Sequence, residues 1–433
     1  MAEVFDSQYQ TMRDAFARQG IFINVAYGPS GRADYLYQEG RLLARVAPVA
    51  RDAPPVIEEV LKLLPGAVVA RDEARPRAES GLAVLDIEHL EGGSLTVPEA
   101  LDLLDERLRI ENPALKGGFP LVAPVHIMHL AGGPGAHPDT VRTCPATEPE
   151  VPCCCAADEP CGPCPAPVRD GGAGVLIGVC DTGLLADHAS ASWLNGNVAG
   201  AVDPLGPLLS GGEHAIPKYC GHGTFIAGVA RCQAPEASVY VANEFSYGGG
   251  LREWEVAQTL QDLLTRNPQV VNLSAGTYCR NDWPPLSFLA FKSGGVTLTC
   301  AAGNDATSRE FWPAAFDWTV GVGALGADRR HRAWFSNYGD WVNVYTPGEG
   351  LVNAFATGRY TYHEPPKRPA VQEFRGRARW SGTSFAAPLV AGLVAAAMSA
   401  GGRSAAAATH DLLAQAQAQQ VPGVGPVLYP RAP

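Results

Sequence analysis

The segment SGTSFAAPLVAGLVAAAM (residues 381–398) places a small polar turn directly before a long apolar run. The apolar part, Phe385–Met398, is 14 residues long and contains Pro388 and Gly392. It is therefore well short of the roughly 20 residues that a membrane span requires. We expect a helix buried in the core of a globular domain, with Ser384 at its N-terminus.

This segment belongs to a region, residues 171–433, in which strand-like and helix-like runs alternate. The strand-like runs are VLIGVC, SVYVAN, QVVNLS, VTLTCAAG and TVGVGA, and the helix-like runs are EWEVAQTLQDLLTR and SFAAPLVAGLVAAAM. Such alternation is typical of an α/β domain with a mostly parallel sheet flanked by helices. We predict that fold for residues 171–433.

Residues 1–135 predict a smaller α+β domain. We expect helices at Phe5–Arg18, at Pro54–Leu64 and from a capping box at Thr96–Glu99, strands at 21–27, 83–90 and 124–130, and a hairpin over Tyr35–Val46 that turns at Glu39-Gly40. His126 and His129 are three residues apart on the last strand, so they point to opposite faces. We assign them structural roles rather than a metal site.

The two domains are joined by a linker, residues 136–170, that is rich in cysteine and proline. Its stretch from Thr143 to Asp170 contains six cysteines and seven prolines. Cys161 and Cys164 have the spacing of a zinc knuckle, and the other two ligands could come from Cys144 or from Cys153 to Cys155, of which we choose Cys144 and Cys155. A disulfide or redox role, or neither role, stays open.

Composition limits the classes of function. Lys+Arg number 33 and Asp+Glu 44, for a net charge of −11 in 433 residues, which argues against nucleic acid as a partner because a phosphate-binding face needs clustered positive charge. The N-terminus carries Glu3 and Asp6 and lacks the basic and apolar regions of a secretory signal. We therefore expect a cytoplasmic protein without a membrane span.

Four short motifs in the second domain carry polar side chains at strand ends or helix starts. They are Asp181-Thr182-Gly183, Gly221-His222-Gly223-Thr224, Ala301-Ala302-Gly303-Asn304 and Ser381-Gly382-Thr383-Ser384. Each one alone has a structural explanation: a capping Asp, a buried His, a turn-forming Asn and a Ser helix cap. Four such motifs in one domain are harder to explain by four separate structural roles.

The order Asp, His, Asn, Ser resembles the subtilisin-like serine peptidases, the subtilases of peptidase family S8. The resemblance covers about residues 170–400. Asn272–Gly276 is similar to the family's strand along the specificity pocket, and Phe335–Gly339 to a later turn. Phe225 and Cys180 depart from the usual pattern, but neither removes a catalytic group.

The resemblance implies a role for each motif residue. Ser384 would attack the peptide carbonyl, His222 would take and return its proton, and Asp181 would orient the imidazole. The Asn304 amide and the Ser384 backbone N–H would form the oxyanion hole. Substrate contacts are implied for Ser274, Ala275, Gly276, Ala301 and Gly303. The reaction would need no cofactor. The resemblance also implies structural calcium, although no acidic loop has a recognisable calcium-ligand spacing.

We therefore expect a serine endopeptidase that processes specific proteins or precursor peptides. The position of the N-terminal domain resembles that of a subtilase propeptide, which implies an inhibitory or substrate-recruiting role. We also expect the chain to cut itself between about Leu130 and Gly174. A permanent structural or partner-binding domain is the other interpretation. The alternative function is an occluded binding module with a metal- or redox-sensing linker.

Overall fold

The computed structural model describes residues 2–29, 31–47, 55–70, 76, 80–90, 93–111, 120–130, 147–152, 165–245, 248–291 and 294–433. The α-helices are α1 Ala2–Ala17, α2 Val56–Leu63, α3 Val97–Glu111, α4 His222–Gln233, α5 Glu253–Leu264, α6 Leu286–Ala290, α7 Thr383–Gly401 and α8 Ala405–Ala418. The strands are β1 Ile23–Tyr27, β2 Ala33–Arg45, β3 Val68–Val69, β4 Leu82–Asp86, β5 Val122–Leu130, β6 Leu176–Asp181, β7 Val198–Gly200, β8 Ala215–Ile216, β9 Ser238–Asn243, β10 Gly250–Arg252, β11 Val270–Leu273, β12 Ala275–Gly276, β13 Thr297–Ala301, β14 Val320–Leu325, β15 Val344–Pro347, β16 Leu351–Thr361 and β17 Val371–Trp380.

Seven strands form the central sheet, in the spatial order β15-β14-β13-β11-β6-β9-β7. Every neighbouring pair in this sheet is parallel. Parallel strands are buried on both faces by helices, which explains why their sequences read as continuous apolar runs. The predicted α/β fold with a mostly parallel sheet is confirmed.

The apolar run that follows Ser384 forms α7. This helix is 19 residues long and apolar enough to cross a bilayer, but 78% of its apolar window is buried inside the protein. It packs against α4 and against β13 and β14 of the central sheet. The prediction of a buried core helix is therefore confirmed.

The N-terminal unit is α+β, as predicted. The apolar faces of α2 and α3 share one core cluster with β2 and β4. At the start of α3, the Thr96 backbone N–H donates to Glu99 Oε2 at 2.8 Å and the Glu99 N–H donates to Thr96 Oγ1 at 3.4 Å. This reciprocal pair is the predicted capping box.

The predicted hairpin over Tyr35–Val46 is wrong. The strand β2 continues through the proposed turn, and Gly40, with φ of +64°, lies inside it. The first half of β2 pairs with β1, and its second half pairs with β4. Because these partners supply the backbone hydrogen bonds along its length, β2 has no need to fold back on itself.

The strand β5 links the N-terminal unit to the rest of the chain. Its first half pairs antiparallel with β2. Its second half pairs antiparallel with both β10 and β12, which lie beyond the linker. One sheet therefore contains strands from both sides of residues 136–170. The domain boundary there stays a prediction, since residues 131–146 and 153–164 lie outside the described residues.

Candidate active site

Asp181 and His222 form a buried hydrogen-bonded pair. Asp181 is the last residue of β6, and His222 is the first residue of α4. The distance from His222 Nδ1 to Asp181 Oδ1 is 2.8 Å. A Cβ on Gly223 would lie 2.4 Å from the Gly183 carbonyl oxygen, so a glycine at 223 lets the two motifs approach this closely.

Asp203 hydrogen-bonds to both of these motifs, and its own sequence neighbourhood does not predict that role. Its Oδ2 accepts from Thr182 Oγ1 at 2.8 Å and from the Gly221 N–H at 2.7 Å. The Thr182 hydroxyl in turn accepts from the Gly223 N–H at 3.0 Å. Asp203 is a positioning residue in a loop, and no local motif marks it because its partners lie elsewhere in the sequence.

The Asp203 network predicts a pH-dependent contribution to stability. Burial raises the pKa of Asp203 from 3.8 to about 6, and the nearby Asp181 charge adds to this, against hydrogen bonds from Gly221, Thr182 and Cys220. The folded state therefore holds the proton more tightly than the unfolded state does. This contribution is fully present below pH 3.8 and is lost as the pH rises through about 6.

We expect Asp203→Asn to weaken the pH dependence, because the amide cannot ionise. Between pH 4 and pH 7 the parent chain should lose on the order of 2 kcal/mol more unfolding free energy than the Asp203→Asn chain does. Urea unfolding at both pH values, with Ser384→Ala in both chains to prevent self-digestion, measures the difference. Identical pH dependence in the two chains would contradict this interpretation.

Ser384 lies at the N-terminal end of α7 and against the Asn272–Gly276 segment. Its hydroxyl donates to the Ser274 carbonyl oxygen at 3.4 Å, and Ser274 Oγ donates to the Ser384 carbonyl oxygen at 2.7 Å. Within the described part of the chain, His222 Nε2 has no hydrogen-bond partner. Catalytic hydrogen bonds are often long or misaligned until a substrate binds.

The Asn304 side chain is oriented by Thr383, the neighbour of Ser384. Asn304 Oδ1 accepts from the Thr383 N–H at 2.8 Å and from Thr383 Oγ1 at 2.9 Å. Thr383 Oγ1 also accepts from the Gly303 N–H at 3.1 Å. The amide oxygen therefore faces Thr383, and Nδ2 is the atom that can donate to a substrate.

Asn337 supports the Asn304 loop from the Phe335–Gly339 turn. Its Oδ1 accepts from the Asp305 N–H at 3.0 Å, and its Nδ2 donates to the Ala302 carbonyl oxygen at 2.8 Å. A Cβ on Gly303 would lie 2.4 Å from Asn337 Nδ2. A larger residue at 303 would therefore displace this support.

Aromatic side chains enclose the imidazole of His222. The ring centroid of His222 lies 5.5 Å from that of Trp380 and 5.2 Å from that of Phe385. Phe225 is one of the two departures from the family pattern, and its ring centroid lies 4.5 Å from that of Phe385 in the same cluster. Cys180, the other departure, is buried, and burial raises the pKa of its thiol. Both departures are thus core residues.

The strand β5 occupies the groove next to Ser384. Leu130 pairs with Ala275, and His129 pairs with Gly276 on one side and with Gly250 on the other. The Leu130 N–H also donates to the Gly249 carbonyl oxygen at 3.0 Å. Asp181, His222 and Ser384 are each 0% exposed. Ala275 and Gly276, which the sequence predicts to bind substrate, are therefore already paired with β5 of the same chain.

A buried contact between His126 and Glu253 anchors β5. His126 Nδ1 lies 2.8 Å from Glu253 Oε1, and His126 Nε2 accepts from the Arg280 N–H at 3.3 Å. Because Nε2 accepts, the proton of a neutral imidazole is on Nδ1 and is donated to Glu253. The ring centroid of His129 instead lies 6.0 Å from that of Phe311. The imidazoles of His126 and His129 therefore have different neighbours.

Ion pairs between the two parts of the chain also hold the N-terminal unit in place. Arg280 pairs with Asp102 at 2.5 Å and with Asp105 at 2.6 Å, and both carboxylates lie on α3. Arg309 pairs with Asp34 at 2.6 Å. Both arginines belong to the larger domain and all three aspartates to the N-terminal unit, so charge complementarity supports the docking.

The predicted metal ligands Cys144, Cys155, Cys161 and Cys164 lie outside the described residues. Among the residues that are described, no group of three His, Cys, Asp or Glu side chains could hold a metal ion. The zinc and calcium hypotheses therefore stay predictions.

Comparisons with known proteins address the larger domain. The sequence profile described as "Subtilase family" matches residues 172–424. The "Thermophilic serine proteinase" of Bacillus sp. (strain AK1) is 29% identical over 245 residues, 54% of this chain and 54% of that protein. The "Intracellular serine protease" of Paenibacillus polymyxa is 28% identical over 241 residues, 52% of this chain and 66% of that protein.

A solved structure is similar over more of the chain. Fervidolysin from Fervidobacterium pennivorans, described as a keratinolytic enzyme related to subtilisin, is 19% identical, with a TM-score of 0.55 over 91% of this chain and 60% of that one. At this identity the likeness concerns the fold alone. The chain spans only about half to two-thirds of the length of the two sequence relatives.

Proposed function

The chain belongs to the subtilase family, and we propose on that basis that it is a serine endopeptidase acting through Asp181, His222 and Ser384. The supporting observation is the hydrogen bond of 2.8 Å between His222 Nδ1 and Asp181 Oδ1, beside a serine at the start of a buried helix. Its substrates would be specific proteins or precursor peptides.

Each side chain has a step that suits its chemistry. A serine hydroxyl is too weakly acidic to attack a peptide carbonyl unaided. With Nδ1–H held by Asp181, His222 Nε2 is the nitrogen that takes the Ser384 proton and later gives it to the leaving amine. The resulting acyl-enzyme is hydrolysed when His222 activates a water in the same way. Apart from that water, each step is carried by a side chain of this protein.

Asn304 would stabilise the oxyanion through Nδ2, together with the Ser384 N–H. We expect Asn304→Ala to lower kcat by about 10²- to 10³-fold with little change in KM, because the developing charge exists only in the transition state. Steady-state kinetics on a fluorogenic peptide measure this, using protein cut in the linker and the exposed Asn195→Ala as the matched control. An unchanged kcat would remove Asn304 from the oxyanion hole.

The position of β5 supports a role for the N-terminal unit as an intramolecular inhibitor. A peptide that adds a strand between β10 and β12 gains main-chain hydrogen bonds on both sides, and β5 already makes those bonds. We propose that substrates bind there as extended strands, and that the chain is latent until it is cut between Leu130 and Gly174.

Labelling with a fluorophosphonate probe tests the proposed function. The proposal expects modification at Ser384, and none in the His222→Ala chain, because the probe requires an activated serine. The mass of the labelled species reports whether the N-terminal unit has been removed. If only chains cut in the linker react, the protein is a zymogen. If neither the intact nor the cut chain reacts, the occluded binding module becomes the better interpretation.

A further inference from the structure

A six-residue stretch of the linker, Thr147–Pro152, lies against the hairpin formed by β16 and β17. The Glu150 N–H donates to the Arg379 carbonyl oxygen at 2.9 Å, and the Arg379 N–H donates back to the Glu150 carbonyl oxygen at 2.7 Å. Trp380 Nε1 donates to the Thr147 carbonyl oxygen at 2.6 Å. Glu150 and Arg379 therefore form an antiparallel bridge at the β17 edge of this hairpin, which is the kind of main-chain pairing by which an extended peptide adds to a sheet.

The carboxylate of Glu148 has its own pocket on this hairpin. Its Oε1 accepts from Tyr360 OH and from the His363 N–H, both at 2.8 Å, and its Oε2 accepts from the Glu364 N–H at 3.1 Å. Burial, followed by the charge of Glu148, raises the pKa of Tyr360 well above its ordinary value, so the phenol stays protonated and donates. Three donors converging on one carboxylate favour an acidic side chain here.

The carboxylate of Glu150 lies in a second, cationic pocket. Lys367 bonds to its Oε1 and Arg379 to its Oε2. Burial alone would raise the pKa of Glu150, but hydrogen bonds from Lys367 and Arg379 hold the pKa below its ordinary value. Between the two pockets, Tyr362 OH donates to the Pro149 carbonyl oxygen at 3.1 Å. The hairpin thus bonds both side-chain and main-chain groups of the Thr147–Pro152 stretch.

We propose that this hairpin surface is a binding site for extended acidic peptides with glutamates at two alternate positions, and that Thr147–Pro152 occupies it in cis. In an extended chain, residues two apart point to the same side, which matches the two pockets. The indole N–H of Trp380 donates to the Thr147 carbonyl oxygen, and the same ring packs on the imidazole of His222. Use of the site to dock substrates rests on the proposed peptidase activity, whereas the binding itself does not.

Binding in trans requires that the cis segment be displaced, because a tethered ligand competes at high effective concentration. We therefore compare two full-length chains that both carry Ser384→Ala: one with its own segment intact, and one with Glu148→Gln and Glu150→Gln. The probe is a fluorescent peptide TEPEVP, the sequence of residues 147–152, and fluorescence anisotropy measures its binding.

The proposal expects TEPEVP to bind the Gln-substituted chain at least about tenfold more tightly than the chain with its own segment intact. The control peptide TQPQVP should bind at least about 30-fold more weakly than TEPEVP, since it loses the charge-assisted bonds. Adding Arg379→Gln should weaken TEPEVP binding, whereas the exposed Arg375→Gln on the same strand should not. Equal binding of the two peptides, or no binding to a folded substituted chain, would overturn the proposal.

A second measurement applies even if the Gln-substituted chain fails to fold. Excess TEPEVP added to the full-length Ser384→Ala chain should displace the cis segment and speed amide hydrogen exchange at residue 150, whose N–H bonds Arg379. TQPQVP should not. Exchange that is insensitive to excess TEPEVP would count against the site. Because every arm uses an inactive chain, failure of the peptidase proposal would not affect these results.

Discussion

Ser384→Ala is expected to lower turnover of a peptide substrate by about six orders of magnitude, because the nucleophile and its base act as a unit. What survives would come from the oxyanion donors and from substrate binding. The measurement is the steady-state rate on a fluorogenic peptide, using protein whose N-terminal unit has been removed by cutting the linker. The fold should persist, since the change deletes one hydroxyl whose bond to Ser274 is long at 3.4 Å.

Ser287→Ala is the matched control for this prediction. Ser287 is buried, and its hydroxyl has no partner among the described residues, while its backbone N–H, which bonds Glu253 at 3.0 Å, is retained by alanine. This variant should keep full activity. A Ser384→Ala protein that still hydrolyses the substrate at more than a thousandth of the parent rate would rule out Ser384 as the nucleophile.

His126→Leu is expected to raise the activity of the intact chain by about 100-fold or more. In the docked state, leucine removes the hydrogen bond that His126 Nδ1–H donates to the buried Glu253 carboxylate, which costs about 3 kcal/mol because the acceptor is charged. When β5 leaves the groove, water can reach Glu253, so the penalty falls on the docked state only. The initial rate of hydrolysis by chains confirmed intact by mass measures the effect.

The matched control is His89→Leu, since His89 is exposed in a turn of the same N-terminal unit. That change should leave the intact chain latent. If His126→Leu and the parent chain have equal initial rates while both are folded, the His126–Glu253 contact does not hold the inhibitor in place, and the docking would have to rest on the strand pairing and the arginine ion pairs.

Two segments of one chain flank the candidate catalytic centre. On one side β5 pairs with β10 and β12, and on the other Thr147–Pro152 pairs with β17 and bonds Trp380. The composition of residues 136–170 predicted a linker, yet Pro149 and Pro152 are buried. A short extended stretch such as Thr147–Pro152 can be ordered by hydrogen bonds to another part of the chain, even when its own composition is too poor in apolar residues to form a core.

Local pattern in the amino-acid sequence is enough to predict the parallel sheet, the buried helix α7, the capping box at Thr96 and the four motifs that carry Asp181, His222, Asn304 and Ser384. These features depend on apolar periodicity and on turn or cap residues within a few positions of each other, so they can be read from local pattern. The order of the motifs then indicated the family.

Three other features emerge only in the folded chain. The strand β2 continues through Gly40, Asp203 hydrogen-bonds to the Asp181 and His222 motifs, and β5 and Thr147–Pro152 lie against the larger domain. Each of these depends on hydrogen bonds between residues distant in the sequence, such as His126 with Glu253, which are 127 positions apart. A single sequence carries no local signal for such a pairing, because neither partner needs a particular neighbour until the fold brings the two together.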